Sequence, residues 1–186
     1  MRPSIYLQIA RSAIAEYFGL TKLDRNSFLS AYPELGKEKA CFVTLNHHHH
    51  LRGCIGSIIP HRLLIDDLIS NARSAAFNDP RFPPLTHEEF STITIEVSLL
   101  SLPEEVIYSN REELKTIIRP YVDGVIIRVG NQQATFLPQV WEELNDFDQF
   151  FTHLGLKAGI GSDPLSYHPQ IYTYQVEKFE ENSDEN

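Results

Sequence analysis

The segment Leu51-Arg52-Gly53-Cys54-Ile55-Gly56-Ser57 sets a thiol between two glycines, two residues after an arginine. In extended backbone alternate side chains share a face, so His50, Arg52, Cys54 and Gly56 fall on one side and Leu51, Gly53, Ile55 and Ser57 on the other. A guanidinium beside a thiol favours the thiolate, the attacking form, and His50 then lies in the same row as a base. The glycines leave room for a ligand to approach the backbone. The competing reading is structural: a free cysteine packs as a small apolar residue and an arginine serves as an ion-pair partner. With a turn centred on His48 and His49, Val43 falls opposite Cys54 and Cys41 diagonally across. That places the two thiols within about 7–8 Å at backbone level and raises the question of redox pairing.

The contiguous His47, His48, His49 and His50 alternate between faces, which is poor geometry for a closed tetrahedral metal site and suits adventitious binding on a loop. His61, His87, His153 and His168 are isolated. Asp79 and Arg81 flank Pro80, where they pair across the loop or orient an anionic ligand, with Glu96 as a further partner. Lys157 sits where a cation near a helix carboxyl end is favourable on electrostatic grounds alone. The chain has no phosphate-cradling loop, dinucleotide fingerprint, nucleophile-elbow serine or zinc-binding HExxH helix, so no cofactor is indicated.

The elements that must position these residues follow from periodicity. Residues 4–18 carry apolar positions at helical spacing with Gly19 as a stop, and residues 40–45 and 51–59 read as strands around the histidine turn. A helix is predicted over residues 62–77, ending before Pro80. The three prolines of residues 78–84 demand an ordered loop. Thr86 to Glu89 has capping-box spacing, and Ile93, Ile95, Val97 and Leu99 alternate with polar residues in the clearest strand. A helix from Asn110 to about Ile118, a hairpin turning at Gly130-Asn131 and an aromatic helix closed by Gly155 or Gly159 come next. A last strand spans residues 171–176. Hairpins require antiparallel pairing, so the fold class is α+β, mainly antiparallel sheet flanked by helices.

The 186 residues suit one globular domain, and 16 basic against 25 acidic residues give a net charge of −9. That balance argues against a protein whose affinity comes from neutralising phosphates. No apolar run approaches a membrane span, and two cysteines are too few for a disulfide framework, so a cytoplasmic location is expected.

Phe42-Val43-Thr44-Leu45, Leu51-Arg52-Gly53-Cys54-Ile55-Gly56 and Asp79-Pro80-Arg81-Phe82-Pro83-Pro84-Leu85, in this order, resemble the AMMECR-type domain. Ile95-Glu96-Val97-Ser98, Leu137-Pro138-Gln139-Val140 and Lys157-Ala158-Gly159 extend the resemblance over most of the chain. It implies one such domain over residues 1–179 in two interlocked lobes and marks Leu51 to Gly56 as the family's signature, while the polar, acidic composition of residues 180–186 itself predicts a fraying tail. It also implies a place beside a Memo-type protein and a radical SAM protein, as in AmmeMemoRadiSam systems. Two departures stand out. The four histidines replace a glycine-containing loop, and Gly155 lies near a position where members often carry a cysteine.

Three functions compete. The first is a binding or accessory component whose cleft is built from Leu51, Gly53, Gly56, Ser57, Asp79, Arg81, Pro138, Gln139 and Lys157 and receives a small molecule or peptide. The second is an enzyme with Cys54 as nucleophile, Arg52 as activator or anion holder, and His50 or Glu96 in proton transfer. The third is a nucleic-acid modifier, which needs a basic groove against the acidic background.

Overall fold

A computed structural model describes residues 4–182. The chain divides into two compact units, the first taking the residues up to Leu100 and from Glu177 onward, the second Ser101–Val176.

In the first unit, α1 (Ile5–Tyr17) begins at Ser4, whose side chain accepts the Tyr6 N–H. It is followed by α2 (Arg25–Ala31), capped by Asp24 in a stretch whose exposed residues give no periodic signal. The sheet contains β1 (Cys41–His47), β2 (His50–Gly56), β3 (Ile93–Leu100) and β8 (Val176–Glu180), in the order β2-β1-β3-β8. β1 pairs antiparallel with both β2 and β3. Its inner face, with Cys41, Val43, Leu45, Ile93, Ile95 and Val97, is buried under α1 and α3 (Leu64–Phe77). The small residues Ala10, Ala13, Ala72 and Ala76 let those two helices pack closely. A short α4 (His87–Phe90) starts with a capping box between Thr86 and Glu89.

The second unit has a sheet of β4 (Glu104–Glu105), β7 (Gln170–Tyr174), β5 (Gly124–Val129) and β6 (Gln132–Phe136), in that order. α5 (Arg111–Ile117) and α6 (Phe147–Ala158) accompany it. Trp141 stacks on Phe150 with ring centroids 3.6 Å apart, and its indole N–H donates to the Asp123 carbonyl at 2.9 Å. Gly159, in the left-handed conformation, closes α6, whereas Gly155 lies inside it.

Each unit is α+β. Among the described residues no helix is long and apolar enough to cross a membrane. The last strand expected over residues 171–176 is two strands, β7 and β8, separated by Gln175. The expected tail also begins too early: Glu180 ends β8, and both oxygens of Glu181 hold Arg11 at 2.6 Å. Residues 183–186 of that tail lie outside the described residues.

Candidate functional site

One extra residue in β2 reorganises the signature segment. Cys54 pairs with Thr44 and Gly53 with Leu45, but Leu51 pairs with Asn46, so Arg52 bulges out of the ladder. A bulge reverses the alternation on one side of it. His50, opposite His47, therefore falls on the other face from Cys54, and the expected His50–Arg52–Cys54 row does not form. The same bulge overturns the expected facing of Cys54 with Val43. Val43 pairs with Ile55, and Cys41, fully buried on the inner face, has its thiol on the opposite side of the sheet from Cys54.

Arg52 is buried and engaged elsewhere. Its Nε donates to Glu89 Oε2 at 2.6 Å, and its Nη2 donates to Glu89 Oε1 at 3.1 Å and to the Pro83 carbonyl at 2.8 Å. The guanidinium pulls the Glu89 carboxyl down to about 2. Arg52 thus fastens the proline loop to α4 and does not activate the thiol. The cation that acts on Cys54 is Arg81, and it is outweighed. Burial pushes the Cys54 thiol up, Glu96 and Asp79 add to the rise, and Thr44 and Arg81 pull the other way.

Asp79 is the keystone of the proline loop. Its carboxylate accepts the Cys54 N–H at 3.0 Å and the Arg81 guanidinium at 2.8 and 3.0 Å, and Arg81 holds it well below the usual carboxylate range. Arg81 also donates to the Cys54 carbonyl at 3.4 Å. β2 is an edge strand, and these two side chains occupy the edge groups that a neighbouring strand would take.

The glycines serve the protein's own packing. A Cβ on Gly53 would lie 2.1 Å from the Ala75 carbonyl oxygen, and one on Gly56 would lie 2.1 Å from the Phe42 ring. The expected room for a ligand is filled by α3 and by that ring. Ser57 donates to buried Asp67 at 2.9 Å, within a network that also holds Arg62, Asn71 and the Cys41 N–H. Leu51 is exposed at the hairpin end.

On the open face, Cys54 Sγ lies 3.2 Å from Thr44 Oγ1, Thr44 faces Glu96 across β1 and β3, and Lys178 on β8 reaches Glu96 at 3.4 Å and Glu180 at 2.5 Å. This polar row crosses all four strands. Burial pushes the Glu96 carboxyl up while Lys178 opposes the rise. Beside it a hollow of about 230 Å³ is lined by Asn46, His49, Thr94, Glu96 and Glu180. His48 and His49 turn the hairpin with positive φ of 50° and 65°. Among the described residues no group of three or more His, Cys, Asp or Glu side chains is arranged to hold a metal ion.

Thr44 and Lys178 were missed by sequence reasoning. Thr44 carries a signal, a hydroxyl inside an apolar strand, but its partner depends on a register that the bulge sets. Lys178 lies beyond the last predicted strand. Pro138, Gln139 and Lys157 belong to the second unit. There Pro138 and Gln139 start a 3-10 turn, and Lys157 donates to the Thr135 carbonyl at 2.9 Å and lies 5.2 Å from the Phe136 ring centre.

Two α+β units, one with a signature strand latched by its own proline loop, define a class of protein in which the motif organises a sheet edge. The chain belongs to the AMMECR1 family, whose match covers residues 7–179. It is 39% identical over 180 residues to protein MJ0810 of Methanocaldococcus jannaschii, covering 94% of this chain and 88% of that one. A Methanothermobacter thermautotrophicus protein is 38% identical over 94% of this chain and 92% of its own length. The crystal structure of the uncharacterised protein PH0010 from Pyrococcus horikoshii matches with a TM-score of 0.84 and 34% identity, covering 96% of this chain and 90% of that one.

Proposed function

We propose that this chain is a cytoplasmic binding or accessory component acting with a Memo-type protein and a radical SAM protein. In this reading the open face of the first sheet receives a partner segment or small ligand. The observation that supports it is the row Cys54–Thr44–Glu96–Lys178 beside the hollow at His49. It offers a thiol, a hydroxyl, a carboxylate and an ammonium in register on the sheet, while burial pushes the thiol's pKa up, away from the thiolate. Such a surface recognises polar groups without an activated nucleophile.

The test is calorimetric titration of the purified chain with a Memo-type protein and with a radical SAM protein, alone and together. A complex that Glu96→Gln or Lys178→Glu weakens by about tenfold, near 1.4 kcal/mol, supports the reading. Absence of any complex, or complexes indifferent to both substitutions, removes it. Catalysis by Cys54 keeps one favourable observation, the direct contact with Thr44, and the alkylation experiment below decides it.

A further inference from the structure

One edge of the first sheet is closed and the other is open. At β2, Asp79 accepts the Cys54 N–H and Arg81 donates to the Cys54 carbonyl, so the proline loop occupies that edge. β8 ends the sheet on the other side. The Ser101 N–H donates to the Gln175 carbonyl at 2.9 Å and the Glu181 N–H to the Ile95 carbonyl at 3.0 Å, so β8 runs antiparallel to β3. In such a ladder alternate residues bond to the same neighbour. Gln175, Glu177, Phe179 and Glu181 therefore turn their main-chain groups towards β3, while Val176, Lys178 and Glu180 turn theirs outward. Among the described residues no hydrogen bond reaches those outward groups.

An open row of donors and acceptors is a template for another strand, and charged residues on an edge usually discourage one. β8 carries Lys178 and Glu180 there, with side chains 46% and 56% exposed. A lysine by itself would repel a second copy of the edge. A lysine and a glutamate two residues apart make the edge self-complementary when two copies meet antiparallel.

Outward groups must meet outward groups, so a two-fold axis passes through a residue of β8, and charge selects which one. An axis at Lys178 sets lysine against lysine, and one at Glu180 sets glutamate against glutamate. An axis at Glu177 leaves Glu180 without a partner. Through Phe179, Lys178 of each copy faces Glu180 of the other, and both residue pairs exchange main-chain hydrogen bonds. Phe179 packs on Tyr6 with ring centroids 5.0 Å apart, and at the axis it meets its own copy at the closely spaced position of the ladder, extending the apolar layer under the sheet. Glu177 falls opposite Glu181, whose charge Arg11 already neutralises at 2.6 Å.

We propose that two copies of this chain associate edge to edge through β8, antiparallel about a two-fold axis at Phe179, so that their first sheets become one. The pairing needs no partner protein and is independent of what the open face binds.

Sedimentation velocity of the full chain from roughly 10 to 500 µM reads the association, and amide hydrogen exchange at both ends of that range locates it. A reversible monomer–dimer equilibrium is expected. Exchange at the Lys178 and Glu180 N–H groups is slowed about threefold or more at the high concentration, while the Phe179 N–H, already bonded to β3, is protected throughout. Lys178→Glu and Glu180→Lys each set like charges opposite one another and are expected to weaken the dimer about tenfold. Combining both substitutions in one chain restores it, as does mixing the two single variants, with unchanged thermal unfolding showing that each variant folds. A monomer at every concentration, a dimer indifferent to both single substitutions or not restored by their combination, or slowed exchange confined to other amides overturns the proposal.

Discussion

Glu89 uses one carboxylate for two tasks: Oε1 accepts the Thr86 N–H of its own helix cap at 3.2 Å, and both oxygens hold Arg52, at 2.6 and 3.1 Å. Cap and latch are therefore coupled. Arg52→Ala frees both the loop and the cap, and the expected loss is about 3 kcal/mol, as for other broken buried pairs. Arg52→Lys keeps the charge but not the fork, so its loss is smaller. Urea unfolding of the two variants measures the difference, and equal stabilities would show that the fork is immaterial.

The same latch predicts an acid limb. Glu89 is depressed in the folded state from its ordinary 4.5 to about 2, and Asp79 is shifted in the same direction. A depressed carboxylate contributes stability that is complete above its unfolded value and is lost as pH falls through the folded one. Stability is thus expected to decline from about pH 4.5 downward. Glu89→Gln flattens part of that slope. A slope unchanged in Glu89→Gln, followed by denaturant midpoints from pH 7 to 2.5, would place the acid sensitivity elsewhere.

Cys54 and Cys41 differ in burial, and their reactivities should follow. Burial pushes both thiols up, Cys41 well above its ordinary value. Mass spectrometry that resolves the two sites should show slow alkylation of Cys54, with an apparent pKa above the ordinary thiol value of about 8.5, and labelling of Cys41 only on unfolding. Fast labelling of Cys54 near neutral pH would restore the nucleophile and weaken the reading of the row as a recognition surface.

The two signature glycines are not equivalent. At Gly53 an added Cβ meets the Ala75 main chain, which cannot move without displacing α3, whereas at Gly56 it meets the Phe42 side chain. Gly53→Ala is expected to cost about 3 kcal/mol or more and Gly56→Ala less, since a ring can turn aside. Denaturant midpoints of the two variants give the order, and the reverse order would show that α3 yields more easily than the ring.

Local chemistry was legible where neighbours in sequence are neighbours in space. The capping box at Thr86 and Glu89, the helices headed by Ser4 and Asn110, and the aromatic stripe of α6 all follow from spacing alone. The site was less legible because one residue out of register changes every facing beyond it. Arg52 in the bulge sends His50 to the wrong side and separates the thiols; the glycines at 53 and 56 point to a close approach or a bulge in this strand, but not to which residue is the extra one. α2 lacked a buried stripe to reveal it, and spacing left Gly155 and Gly159 as alternative helix stops; Gly159 is the stop, while the use of Gly155, close approach to Gly161, is a tertiary contact.

The first unit is interrupted in sequence by the whole of the second, and its fourth strand and the Arg11–Glu181 clamp come from the far end of the chain. During synthesis α1 emerges before the second unit and must wait for Glu181, which follows that unit, before its arginine is neutralised. The second unit, drawn from one continuous stretch, has no such wait. The continuous second unit can therefore be finished before the first unit that encloses it in sequence.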